Sequence, residues 1–200
     1  MEVMEMGSQL NVMLVEDESL IAEGLRVELK KYGFSISGIV RNGLDVLREA
    51  KEKKPDLILM DINIPGKNGL EVAQQLLIEY PVAVVILTGY SDYEYVKQAA
   101  KIGVEGYLLK PVDGNDLKPA LEVAYSNFIR KRNLSEELAR SKEDLDNRKT
   151  IERAKGILMD VKGLKENEAM VILQKKSRNT GRKIIDVAKE IIDAFKKIES

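Results

Sequence analysis

The chain contains neither cysteine nor histidine among its 200 residues. Without cysteine it forms no disulfide bond and no thiolate metal site. Without histidine it lacks the commonest general base and the commonest zinc ligand. If the protein accepts a phosphoryl group, that group must therefore be carried by a carboxylate or a hydroxyl.

Long apolar runs are also missing from the sequence. No run approaches the roughly 20 residues that an α-helix needs to span a bilayer. Residues 1–8 are acidic rather than basic and have no apolar centre, so we do not expect them to be a signal peptide. These features predict a cytoplasmic protein with no membrane partner.

Charge is divided unevenly along the chain, although the total is only −1. Residues 1–124 carry 13 basic and 20 acidic groups, a net charge of −7, and residues 125–147 carry 5 of each. Residues 148–200 carry 14 basic and 8 acidic groups, a net charge of +6. An acidic first part and a basic last part predict two domains with different partners.

Short apolar runs alternate with segments of helical period in the first part of the chain. The runs predict strands at 10–15, 34–40, 56–60, 82–87 and 105–109, separated by helices near 18–31, 43–53, 68–79 and 91–102. Such alternation builds a parallel sheet with helices on both faces. We therefore predict an α/β fold with a flavodoxin-like, doubly wound, five-stranded sheet in the order 2-1-3-4-5.

Polar side chains stand just past four of these strands. They are Glu16 and Asp17, Asp61, Thr88, and Lys110. The carboxyl ends of neighbouring parallel strands meet at one crevice, so these side chains should converge there. Three clustered carboxylates need a cation, and their oxygen atoms suit a hard metal such as magnesium. Because a lysine suits a phosphoryl group as a point charge, the set predicts a magnesium-assisted phosphoryl acceptor.

The same positions resemble those of response-regulator receiver domains. Residues 12–18 are similar to that family's first strand and acidic pair, and residues 57–66 to its phosphoacceptor strand and loop. Thr88-Gly89 resembles its switch hydroxyl, and Lys110-Pro111 its lysine followed by a proline that often lies in a cis peptide bond. The resemblance covers roughly residues 9–124.

This resemblance implies a role for each position. Asp61 would be the nucleophile that becomes an aspartyl phosphate. Lys110 would pair with Asp61 at rest and with the phosphoryl oxygens afterwards. Thr88 would move to bond a phosphoryl oxygen, and Tyr107 would be the aromatic switch that follows it inward. Tyr90 could shield the site from water.

The resemblance also implies partners for the site. Magnesium would be held by Glu16, Asp17, Asp61 and the backbone carbonyl of Asn63. A sensor histidine kinase would donate the phosphoryl group, and the protein would not be an enzyme beyond autodephosphorylation. Asn63 stands where phosphatases of the aspartyl-phosphate type usually carry a general-acid aspartate, which argues against that class.

A long helical pattern follows the first domain. Its apolar residues have spacings of three and four and then continue with a phase shift at Leu134, Leu138 and Leu145. Two interpretations are open: a solvated helix that joins two domains, or a short coiled-coil seam for a homodimer that phosphorylation strengthens.

Three helical patterns at 148–161, 165–177 and 182–198 predict a small three-helix all-α domain. Its expected core residues are Ile151, Ala154, Leu158, Val161, Ala169, Ile172, Leu173, Ile184, Val187, Ala188, Ile191 and Phe195. Residues 151–159, Glu168-Ala169, residues 173–178 and Asp186-Val187-Ala188 resemble the ANTAR domain. The resemblance covers about residues 145–196 and implies binding to paired hairpins in nascent RNA and a role in transcription antitermination.

Basic residues of this domain form a candidate RNA-binding set. Phosphate neutralisation by a basic surface is the usual electrostatic mark of nucleic-acid binding. The set comprises Arg148, Lys149, Arg153, Lys155, Lys176, Arg178, Arg182 and Lys183. The alternative is that these side chains only keep a small helical domain soluble.

These observations predict a receiver domain at 1–124, a helical connector at 125–147 and an ANTAR-like domain at 148–200. The expected function is phosphorylation-controlled binding of RNA hairpins that regulates transcription termination. Two alternatives share the receiver domain: a DNA-binding transcription factor, and a regulator whose helical tail binds another protein. The third predicted helix is apolar over much of its length, which argues against base reading by a helix-turn-helix.

Overall fold

The computed structural model describes residues 10–89 and 93–199. Residues 1–8 and Tyr90 lie outside the described residues. The strands are β1 (Asn11–Val15), β2 (Ser35–Val40), β3 (Leu57–Asp61), β4 (Ala83–Thr88) and β5 (Gly106–Leu109). The helices are α1 (Ser19–Lys31), α2 (Val46–Lys53), α3 (Gly69–Glu79), α4 (Tyr93–Ile102), α5 (Gly114–Lys162), α6 (Glu166–Thr180) and α7 (Ile184–Glu199).

All paired strands are parallel, and their order is β2-β1-β3-β4-β5. The predicted flavodoxin-like sheet is confirmed. Strands β3 and β4 are buried along their whole length, as expected for a central strand covered on both faces. Each strand begins one residue later than predicted.

Two apolar layers enclose the sheet. On one face, alternate strand residues such as Ile58 and Ile86 pack with α2, α3 and α4. On the other face, Leu59 and Leu87 pack with α1 and with Leu121 of α5. This arrangement leaves the carboxyl edge of the sheet as the place where the loops after β1, β3, β4 and β5 meet.

The predicted connector and the first predicted helix of the last domain both belong to one helix, α5, which has 49 residues and begins at Gly114. Gly163, with a φ of +64°, follows its end, as a glycine at a helix C-terminus commonly does. The chain divides into two compact units, Met1–Arg132 and Asn133–Ser200. The division falls inside α5, so no loop marks it.

The second unit has its own core of Ala154, Leu158, Ala169, Leu173, Val187, Ala188 and Ile192. Three expectations are corrected here. Phe195 is only half-buried and is not among the residues of this core. Val161 is 61% exposed, because it lies in the last turn of α5 before the chain turns at Gly163. Ile192 is buried where Ile191 was expected, and Ile191 only packs against the edge of the core.

No helix in the described ranges is long and apolar enough to cross a membrane.

Helix α3 begins in direct contact with the end of β3. The side chain of Asn68 accepts a hydrogen bond from the amide of Leu70 at 2.9 Å and caps the helix. The amide of Gly69 donates to the carbonyl of Ile62 at 2.8 Å. A Cβ atom on Gly69 would lie 2.2 Å from the carbonyl oxygen of Asp61. Because that oxygen belongs to the backbone and cannot rotate away, only glycine fits this position.

We predict opposite effects for two glycine-to-alanine variants. Gly69→Ala should lower the free energy of unfolding by about 1–3 kcal/mol, since it overpacks a backbone contact. Gly24→Ala, in an exposed part of α1 where nothing lies within 4 Å of an added Cβ, should raise it by about 1 kcal/mol. Urea unfolding of the full chain measures both. Equal midpoints in the two variants would contradict the packing argument.

Candidate functional site

The predicted site residues lie at the carboxyl edge of the sheet. Glu16 directly follows β1, Asp61 and Thr88 end β3 and β4, and Lys110 directly follows β5. The Lys110 Nζ atom donates to Asp61 Oδ2 at 2.5 Å and to Glu16 Oε2 at 2.6 Å. One ammonium is thus shared by two carboxylates from different strands.

In each carboxylate, one oxygen accepts a backbone hydrogen bond and the other contacts Lys110. Oδ1 of Asp61 accepts from the backbone amide of Asn63 at 3.1 Å, and Oε1 of Glu16 accepts from that of Glu18 at 3.3 Å. The other oxygen of each carboxylate faces Lys110. The backbone amide of Lys110 donates to the carbonyl of Thr88 at 2.7 Å, which fixes the lysine against the end of β4. The peptide bond from Lys110 to Pro111 is cis.

Burial governs the electrostatics of this group. Glu16 is 1% exposed and Asp61 is 7% exposed. Burial raises the pKa of Glu16, and the hydrogen bond and charge of Lys110 only partly offset this effect. Burial opposes the charged form of Lys110, but its hydrogen bonds to Asp61 and Glu16 outweigh burial and raise its pKa. The two shifts have different causes: burial dominates for Glu16, and the two carboxylates dominate for Lys110.

The structure does not gather all three predicted carboxylates. Within residues 10–89 and 93–199, no group of three acidic side chains is placed to hold a metal ion. Asp17 is half-buried next to Glu16 in sequence but does not join it and Asp61 in such a group, and Lys110 contacts both Glu16 and Asp61. The donors are nevertheless all oxygen atoms, carboxylates together with the exposed Asn63, and this chemistry fits magnesium.

The two predicted switch residues share one face of the sheet. Thr88 is completely buried at the end of β4. Tyr107 lies beside Ile86 in the pairing of β4 with β5 and packs against the core on the α2, α3 and α4 side. Ile86 and Thr88 are two residues apart on one strand and therefore point to the same face. Tyr90, the predicted shield, lies outside the described residues.

Two glycines support the site in ways that the sequence analysis missed. Gly69 packs against the Asp61 backbone, as described above. Gly43, after β2, donates its amide to the carbonyl of Pro65 at 2.9 Å, and a Cβ there would lie 2.2 Å from the carbonyl of Lys67. The loop after β2 therefore braces the loop that carries Asn63. A glycine in the sequence does not show which backbone groups it will contact, so neither role could be read from the residue type alone.

The predicted RNA-binding residues fall into three groups. Arg148, Arg153, Arg178 and Lys183 are exposed and have no acidic partner among the described residues. Lys149 is 79% exposed and lies 3.8 Å from Asp146. The third group consists of Lys155, Lys176 and Arg182, which are engaged with glutamates.

Lys155 requires a correction, because it is only 7% exposed. Its Nζ atom lies 2.8 Å from carboxylate oxygens of both Glu152, one turn earlier in α5, and Glu166, the first residue of α6. The hydrogen bonds to Glu152 and Glu166 raise the pKa of Lys155. Lys155 thus joins α5 to α6 instead of facing a ligand, since its position on the helix turns its side chain toward the α6 end. It is removed from the proposed RNA-binding set.

We expect Lys110→Met to destabilise the protein in a pH-dependent way. The variant leaves two buried carboxylates without their shared ammonium, which should cost about 3 kcal/mol of unfolding free energy at pH 7. The pKa of Glu16, already raised, should rise further, so the folded state binds a proton that the unfolded state releases. The loss should therefore shrink as pH falls from 7 to 5. Urea unfolding at both pH values measures this change.

Lys51→Met is the matched control, because it removes an exposed ion pair with Glu79 at 3.1 Å. That pair should contribute less than about 1 kcal/mol. An equal loss for Lys110→Met at pH 5 and pH 7 would show that the charge of Glu16 is not the cause.

Lys155→Ala should lower the melting temperature of the second unit by several degrees, since it breaks the link between α5 and α6. Lys149→Ala should leave the melting temperature unchanged, because its side chain is 79% exposed. Differential scanning calorimetry of the full chain compares them. Identical melting of the two variants would return Lys155 to the surface set.

Comparison with known proteins gives two family matches. A response regulator receiver domain model matches residues 12–122, and an ANTAR domain model matches residues 139–192. The first match begins at the second residue of β1 and contains the other four strands in full, together with Glu16, Asp61, Thr88 and Lys110. The second contains α6, most of α7 and the last part of α5. Neither family description names a catalytic activity.

Individual relatives agree with this division. The transcriptional regulatory protein PdtaR of Mycobacterium tuberculosis strain H37Rv is 34% identical over 184 residues, covering 90% of this chain and 90% of that protein. The signal receiver domain of a modulated diguanylate cyclase from Desulfovibrio desulfuricans G20 has a TM-score of 0.58 and 30% identity, covering 62% of this chain and 99% of that one.

A DNA-binding response regulator of the LuxR family from Staphylococcus aureus has a TM-score of 0.55 and 25% identity, covering 58% of this chain and 98% of that one. The two structural matches cover 62% and 58% of this chain, which is less than the share of the chain in its first unit. PdtaR, in contrast, is similar over 90% of the chain. The chain therefore belongs to the response regulators in which a receiver domain is followed by an ANTAR domain.

Proposed function

We propose that this protein is a phosphorylation-controlled regulator that binds RNA hairpins and thereby regulates transcription termination. The observation that carries the proposal is the half-buried Lys110 ammonium held between the buried carboxylates of Asp61 and Glu16, on a chain that also contains an ANTAR domain. The similarity to a transcriptional regulatory protein over 90% of both chains supports a role in transcription.

Asp61 is the phosphoacceptor in this proposal, and a sensor histidine kinase is the donor. A carboxylate oxygen of Asp61 bonds to phosphorus while the bond from phosphorus to the donor's histidine nitrogen breaks. Lys110 pairs with the new phosphoryl oxygens. The same site later returns the phosphoryl group to water. Glu16, Asp17, Asp61 and the carbonyl of Asn63 would hold Mg²⁺, which neutralises charge on the transferred group when bound.

In this proposal, the conformational switch is caused by the negative charge that phosphorylation adds at Asp61. Phosphorylation adds negative charge beside a lysine that already serves two carboxylates. The Thr88 hydroxyl moves to donate to a phosphoryl oxygen, and Tyr107 follows on the same face of the sheet. The surface formed by α4, β5 and α5 changes as a result.

Pairing of two chains is the proposed output of the switch. Leu134, Leu138 and Leu145 on α5 are 60%, 56% and 54% exposed, although they are large and apolar. A second copy of the chain could bury these leucines in a short coiled-coil contact. A modest change in the free energy of pairing would be enough to form that contact. Two ANTAR domains would then bind two RNA hairpins. Binding of the first hairpin raises the effective concentration of the second, so the pair binds more tightly than either alone. The proposed domains remain 1–124, 125–147 and 148–200.

Beryllofluoride, a phosphoryl mimic, should strengthen binding of the wild-type chain to a two-hairpin RNA by about tenfold or more, since it favours the paired state. Asp61→Asn should show neither this gain nor mimic-dependent dimerisation. Glu52→Gln, the same change of carboxylate to amide at an exposed position of α2, should behave as wild type. Fluorescence anisotropy over a salt series measures binding, and analytical ultracentrifugation measures dimerisation.

The same experiment includes duplex DNA and thereby separates the alternatives. Mimic-dependent binding to DNA rather than RNA would favour the DNA-binding factor. Equal dimerisation of wild type and Asp61→Asn would contradict the phosphorylation switch. Weak binding to both nucleic acids, with no response to the mimic, would favour a protein partner for the second unit.

A further inference from the structure

Glu190 of α7 holds two of the proposed RNA-binding cations at once. Its Oε1 atom lies 2.7 Å from Nζ of Lys176 in α6, and its Oε2 atom lies 2.6 Å from Nη1 of Arg182 between the helices. All three side chains are 40–45% exposed, so the cluster lies at the surface of the second unit. The two cations point at opposite oxygens of one carboxylate.

The backbone around this cluster is fixed by the turn between α6 and α7. The hydroxyl of Ser177 donates to the carbonyl of Arg182 at 2.6 Å, and the amide of Arg182 donates to the carbonyl of Ser177 at 3.2 Å. Gly181, with a φ of +66°, closes the turn in a conformation that favours glycine. Arg182 is therefore held at a defined place beside Lys176, whether or not Glu190 is present.

The chemistry of the cluster is that of a phosphate site. A carboxylate and a backbone phosphate both present two oxygens across a short bite, and both accept charge-assisted hydrogen bonds from lysine and arginine. The hydrogen bonds of Lys176 and Arg182 lower the pKa of Glu190, which keeps it ionised at neutral pH. An anion of the protein itself thus lies between the two cations.

We propose that Lys176 and Arg182 form a phosphate-binding subsite that Glu190 fills in the free protein, and that an RNA backbone phosphate displaces Glu190 on binding. This inference rests on the proposed RNA-binding function and adds a regulated step to it. Exposed ion pairs contribute little to stability, so the carboxylate can leave at small cost to the fold. Arg148, Arg153, Arg178 and Lys183 carry no such internal competitor among the described residues.

The test compares Glu190→Gln with Asp193→Asn in the full chain. Both variants lie on α7 and remove one exposed negative charge, but no ion pair of Asp193 is found among the described residues. The probe is a fluorescent two-hairpin RNA of mixed sequence, since a backbone contact does not depend on sequence. Affinity is measured over a salt series, and thermal melting checks that each variant folds.

We expect Glu190→Gln to strengthen RNA binding about fivefold, and Asp193→Asn by no more than about twofold, since only the former removes a direct competitor. The slope of log affinity against log salt concentration should stay nearly the same in Glu190→Gln, because Lys176 and Arg182 neutralise the same phosphate in the wild type once Glu190 has left. Replacing Lys176 and Arg182 together by alanine should abolish the effect of Glu190→Gln.

Three results would overturn the inference. Equal gains in the two variants would reduce the effect to net charge, and weaker binding by Glu190→Gln would make Glu190 an organiser of the cations. A gain seen only with duplex DNA would exclude RNA as the ligand. Failure of the wild type to bind RNA at any salt concentration would instead overturn the proposed function, and the inference with it.

Discussion

The sharing of one ammonium by two buried carboxylates is the constraint on which the first unit depends. Lys110 joins the end of the edge strand β5 to Glu16 after β1 and to Asp61 at the end of β3, so it links the edge of the sheet to two of its interior strands. Neither carboxylate is fully compensated, and burial leaves Glu16 with a raised pKa. With all three groups ionised, two carboxylates and one ammonium leave one negative charge uncompensated, which burial disfavours.

The sheet and its order could be predicted because alternating apolar runs and helical segments determine a parallel sheet almost alone. The convergence of Asp61, Lys110 and Glu16 followed from the same rule about strand ends. The equal share of Glu16 in the lysine contact could not be predicted, since it depends on side-chain reach between residues 94 positions apart. The roles of Gly43 and Gly69 were missed for a different reason, since they depend on which backbone carbonyls the folded loops bring against each glycine.

The second unit was harder to predict in detail. Helical periodicity located its three helices, but it could not determine which basic residues face outward. Lys155 lies next to core residues and finds two glutamates, so burial and pairing decide its position. Lys176 and Arg182 remain at the surface and are nevertheless engaged by Glu190. A net charge of +6 over residues 148–200 therefore overstates the positive charge that is immediately available to a ligand.

The burial of Lys155 between α5 and α6 has a wider consequence. Residues 151–159 are one of the segments that resemble the ANTAR domain, yet within this segment Ala154, Lys155 and Leu158 are buried. The buried residues of this segment pack α5 against its neighbouring helix. A chain that keeps these residues therefore keeps the helical packing of the domain. Differences in what such domains bind would then arise at exposed positions outside this segment, where sequences can diverge without loss of the fold.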